Sequence, residues 1–86
     1  MNHYKALGGY ARVLTAFKPN NELTMHQIAL RLNASYGWTH TTCQSMIHRG
    51  LLQAKHVGSA ILCTPNPRHP LIPLLNNFNA MLKKLR

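Results

Sequence analysis

Tyr4, Leu7, Ala11, Leu14 and Phe17 recur at the three-to-four spacing of one helical face, which predicts a first helix over 2–18. Gly8 and Gly9 interrupt it and weaken it by about 1 kcal/mol each unless a neighbouring helix packs closely there. Pro19-Asn20-Asn21 ends the segment, and Glu22-Leu23-Thr24 leaves room for no more than a stub of strand. Thr24 followed by Gln27 fits a capping box and opens a second helix. Its inner face is Met25, Ile28 and Leu32, its small Ala29 admits another helix, and Asn33 suits the left-handed residue that closes such an end. Ser35, with Thr39 as a later alternative, caps a third helix that stops where Gly50 can take a positive φ. Thr39, Thr42, Cys43, Met46 and Ile47 make its core side, and Gly37, His40, Thr41, Gln44 and His48 its outer side.

Leu51 to His56 and Ser59 to Thr64 are apolar-rich runs joined around Val57-Gly58-Ser59, which predicts a hairpin. Pro65, Pro67 and Pro70 then impose an extended connector, and Pro73 is a good first residue for a last helix over 73–86. Leu74, Leu75, Phe78, Met81, Leu82 and Leu85 form its apolar stripe, while Lys83, Lys84 and Arg86 suit the negative end of the helix dipole. The elements describe a mainly α fold with a small β-hairpin, an α+β class, in one domain over 1–86 with the paired helices at 24–50 and the hairpin at 51–64.

Size and charge sharpen this picture. A chain of 86 residues buries only about 60% of its unfolded surface, so a partner subunit is the expected addition to its core. Ten basic residues face a single acid, Glu22, and the net charge of +9 attracts polyanions. No apolar run reaches the length of a membrane span, and Lys5 and Arg12 break the segment from Met1 to Phe17 that a signal peptide would need, so a cytosolic location is expected. Cys43 and Cys63 form no C-x-x-C pair and read as reduced core thiols. The spacing of His3, His26, His40, His48, His56 and His69 matches no zinc site, and neither a metal nor another cofactor is expected.

Short polar side chains on a helix can enter the major groove and exchange hydrogen bonds with base edges, and His40, Thr41, Gln44 and Ser45 meet that description. Gln44 suits the paired donor and acceptor of adenine, and the Thr41 methyl suits thymine. Tyr36 and Trp38 sit where hydroxyl and indole N–H groups reach phosphates. Lys55 and His56 stand beside the hairpin turn, while Arg31 and Arg49 flank the helix pair, all as backbone contacts. Leu32-Asn33-Ala34-Ser35-Tyr36-Gly37-Trp38-Thr39 and Met46-Ile47-His48-Arg49-Gly50-Leu51-Leu52 together resemble winged helix-turn-helix regulators of the MarR type, over about half the chain, from Leu23 to Thr64. The resemblance implies a homodimeric, operator-binding regulator of double-stranded DNA, read as a repressor. Ser35, Tyr36, His40, Thr41 and Gln44 would face the groove and the hairpin would act as a wing.

Two departures qualify what the resemblance carries. The aspartate-x-arginine pair common in such wings is absent, and with one terminal helix on each side no small-molecule effector is expected. The terminal stripe from Leu74 to Leu85 is wide for so small a core and is expected to hold the dimer. With one carboxylate and no nucleophile elbow, an enzyme is not expected. The alternative is a winged helix used for protein interaction, as in a phage or plasmid accessory protein that docks on a host complex.

Overall fold

A computed structural model describes residues 3–17 and 22–85 and folds them into four helices and a three-stranded antiparallel sheet, an α+β arrangement. In chain order the elements are α1 (His3–Leu14), β1 (Leu23–Thr24), α2 (Met25–Leu32), α3 (Tyr36–His48), β2 (Leu52–Val57), β3 (Ala60–Pro65) and α4 (Leu71–Lys84). Asn2 and Lys18 at the ends of the expected first helix, the Pro19-Asn20-Asn21 stop, Arg86 and the Tyr4 side chain lie outside the described residues.

The local signals at α2 and α3 act as the chain predicts. Gln27 N–H donates to Thr24 Oγ1 at 3.2 Å while Thr24 N–H donates to Gln27 Oε1 at 2.8 Å, the reciprocal capping box. Asn33 takes the left-handed conformation at φ 52°, and Ala34 N–H reaches the Ala29 carbonyl at 3.0 Å. Ser35 caps α3 through the Trp38 N–H at 3.1 Å. At the other end Gly50 (φ 79°) donates to Ile47 and Leu51 donates to Met46 at 2.8 Å. That pair of bonds is a Schellman closure, and it drops Leu51 beside Met46 in the core.

Three boundaries differ from the sequence reading. Helix α1 stops at Leu14 and continues as a tight turn, with Ala16 N–H on the Val13 carbonyl and Phe17 N–H on that of Leu14. Helix α4 begins at Leu71, not Pro73, because the first-turn amides of a helix have no intrahelical partner and Pro73 loses nothing there. Leu71 N–H is met instead by His69 Nδ1 at 3.1 Å. The hairpin turns on two residues, Gly58-Ser59, with Gly58 at φ 61° and Val57 opposite Ala60, so both strands start one residue later than their apolar runs.

The core also takes in more of α1 than one stripe. Tyr10, Ala11, Val13 and Leu14, with Ala16 in the turn that follows, are all buried, and α1 packs against both α3 and α4. Ile28, Met46, Leu51, Leu52 and Cys63 complete the centre, and Ile72 with Leu75 attach α4 to it. Asn79 Nδ2 donates to the Ala11 carbonyl at 2.9 Å and pins α4 across α1. No helix among the described residues is long and apolar enough to cross a membrane.

Candidate nucleic-acid interface

Helix α3 follows α2 after a turn of Asn33, Ala34 and Ser35, and its buried side is Thr39, Cys43 and Met46. The opposite side is a run of exposed positions spaced four, three and four residues apart: Gly37, Thr41, Gln44 and His48. Thr39 is held inward, its hydroxyl donating to the Ser35 carbonyl at 2.9 Å. Arg49 is exposed at the end of the same helix.

Not every expected contact residue shares that surface. The Ser45 hydroxyl lies 2.6 Å from the Tyr10 hydroxyl of α1, so it serves the α1–α3 packing rather than an outer face. Trp38 is half-buried, with Arg12 stacked 4.9 Å above its ring and Gly9 of α1 beside it, so its ring packs between α3 and α1. Ser35 Oγ is engaged as the α3 cap. Arg31 donates to the Ala16 carbonyl at 2.9 Å and lines a groove between α1 and α4, not the surface of α3. His40 is half-buried beside Tyr36.

The first turns of α2 and α3 are joined by an aromatic ladder that the sequence did not announce. His26 stacks on Tyr36 at 4.3 Å, and Tyr36 meets His40 at 5.8 Å. The His26 and Tyr36 rings border an open cleft of about 320 Å³ completed by Ser59 of the hairpin turn and Ala60 and Ile61 of β3. His26 belongs to this cluster only because the turn after Asn33 brings α3 back beside the start of α2.

Strand β2 is an edge strand, exposed from Gln53 to Val57. Its pairing puts Leu52, Ala54 and His56 on the face that holds buried Cys63, and Gln53, Lys55 and Val57 on the other. Lys55 and His56 therefore flank the turn on opposite faces. In α4, Leu75 is a core residue, which removes it from the expected dimer stripe. Phe78 and Leu82, exposed at 48% and 41%, border the groove with α1, and Leu74, Met81 and Leu85 are exposed at 62%, 64% and 82%.

Both cysteines are buried free thiols. Burial, with Cys63 nearby as the smaller cause, pushes the Cys43 thiol up to about 12. Burial raises Cys63 as well. No known family model matches the chain, and neither a curated protein nor a solved structure matches it.

Proposed function

We propose that this chain is a winged helix-turn-helix protein that binds double-stranded DNA and acts as a transcriptional regulator, with α3 as the recognition helix and the β2–β3 hairpin as the wing. The observation that carries the reading is the exposed stripe Thr41, Gln44 and His48 on a helix capped at both ends and followed by a hairpin whose edge strand is exposed. Short polar side chains on a rigid helix suit base edges, whereas a protein-docking helix would present large apolar ones. Arg49 at the end of α3 and Lys55 on the exposed edge strand β2 supply charge for phosphates, and Glu22 is the only side-chain carboxylate in the chain to oppose it.

In this reading two copies meet along Leu74, Met81 and Leu85, which fall on one line of α4 with no charged side chain among them. Sedimentation of the intact protein at about 50 μM, where interfaces of standard size are populated, is expected to give a dimer. A monomer there removes the dimer from the proposal.

The DNA reading is tested by two substitutions that must differ in kind. Gln44→Ala is expected to weaken the preferred site, found by selection from random duplexes, by about 1–3 kcal/mol and to leave unrelated DNA nearly unchanged. Lys55→Ala is expected to weaken all duplexes alike and to lower the salt slope by about one unit. If both folded variants lose specific and generic affinity in the same proportion, or neither loses any, the assignments of helix and hairpin are wrong.

A further inference from the structure

The described cations do not gather on the α3 surface. Arg12, Arg31 and Lys83 instead line one open groove of about 820 Å³ between α1, the end of α2 and α4. Its walls include the apolar Leu14, Phe17, Phe78 and Leu82, and no carboxylate is among its described lining residues. Two of the guanidinium groups are fixed but not neutralised. Arg12 donates to the Leu32 carbonyl at 3.0 Å and Arg31 to the Ala16 carbonyl at 2.9 Å, and each keeps further N–H donors and its full charge. Arg12 is braced a second time by its stacking on Trp38. Charges held in place by main-chain carbonyls lose little freedom when they meet an anion, which favours paired recognition of carboxylates.

Three kinds of occupant compete for such a surface. A second copy of this chain brings a net charge of +9 and one carboxylate to a groove that already holds three cations. A nucleic-acid backbone would use the cations but has nothing to cover Phe17, Phe78 and Leu82. A helical segment with one apolar side and flanking carboxylates satisfies both halves of the groove. We propose that the α1–α4 groove docks an acidic amphipathic segment of another protein. The groove shares no residue with Thr41, Gln44, His48 or the hairpin, so the proposal stands whether or not α3 reads DNA.

The probe is a fluorescein-labelled synthetic helical peptide with leucines on one face and glutamates on both flanks, followed by anisotropy. Trp38, the single tryptophan, is a second reporter because it lies under Arg12. Saturable micromolar binding is expected, accompanied by a change in Trp38 emission. Lys83→Glu and Phe78→Ala, each checked for an unchanged thermal transition, are expected to weaken it by about tenfold or more, and a peptide with lysine in place of glutamate is expected not to bind. The proposal is overturned if the acidic peptide shows no saturable binding, or if both folded variants bind it as the parent does. Displacement of the peptide by duplex DNA with the same dependence on Lys83 and Phe78 would assign the groove to nucleic acid. A dimer of the free protein that Phe17→Ala, in the groove wall outside α4, converts to monomer would assign it to a second copy, and either result ends the proposal.

Discussion

Under the proposed DNA reading, Ser45 is expected to hold α3 in place and not to contact DNA, and its hydrogen bond to Tyr10 makes that testable. Its hydroxyl lies 2.6 Å from that of Tyr10, a side chain that is only 5% exposed. Ser45→Ala leaves the Tyr10 hydroxyl without its partner in a nearly closed site, and Tyr10→Phe leaves the half-buried Ser45 hydroxyl without its own. A net hydrogen bond contributes about 0.5–1.5 kcal/mol, and a stranded buried hydroxyl costs about 1–3 kcal/mol, so each single change is expected to destabilise by about 1–2 kcal/mol. In Tyr10→Phe with Ser45→Ala no hydroxyl is stranded, and the loss is expected to be no greater than for either change alone. The cycle then gives a coupling at least as large as one single loss, about 1–2 kcal/mol. Urea denaturation followed by Trp38 emission measures all four proteins, and thermal melts are expected to fall by about 4–8 °C per kcal/mol at this chain length. The same four proteins, assayed on preferred and generic duplexes, are expected to keep one ratio of affinities. Additive losses would show that the two hydroxyls do not interact in solution. A changed ratio in Ser45→Ala with unchanged stability would return Ser45 to the outer face of α3.

Two further outcomes follow from the packing. A methyl group added at Gly8 meets nothing within 4 Å, so Gly8→Ala is expected to stabilise the protein by about 0.5–1 kcal/mol through the unfolded chain, read as a higher urea midpoint. The raised thiols make stability fall in alkali: below about pH 8 both states keep their protons, and above it the unfolded thiols ionise while the native ones do not. Each thiol is expected to remove up to about 1.4 kcal/mol per pH unit until native Cys43 itself ionises, and Cys43→Ala is expected to flatten that slope in urea titrations at about pH 8 to 10. Neither cysteine is expected to react with iodoacetamide before the protein unfolds, which mass spectrometry of the alkylated chain checks.

Helix ends and turns were legible along the chain because their causes lie within a few residues of one another. Thr24 with Gln27, Asn33, Ser35, Gly50 and Gly58 each act through their own backbone neighbours, and each does so in the folded protein. The polar side of α3 was legible for the same reason, since exposure at Thr41, Gln44 and His48 follows from helical period opposite the core residues Thr39, Cys43 and Met46. The start of α4 was misread because proline is as harmless at the third residue of a helix as at the first, and only the partner supplied by His69 decides between them.

Other features depend on which element lies across from which, and no local pattern encodes that. Contact of α1 with both α3 and α4 buries Tyr10 and Val13, which fall outside a single stripe, and draws Ser45 and Trp38 away from the interface they were expected to join. The return of α3 beside α2 builds the His26–Tyr36–His40 ladder. Crossing of α4 over α1 assigns Leu75 to the core and gathers Arg12, Arg31 and Lys83, which are far apart in the chain, around one groove. The sequence by itself determined where the helices and strands lie and which residues could carry charge or hydrogen bonds, because those depend on short-range sterics and solvation. Only the tertiary structure decided which of those residues remain on a shared surface, because a side chain that has bonded or packed against a neighbouring element is no longer offered to a partner.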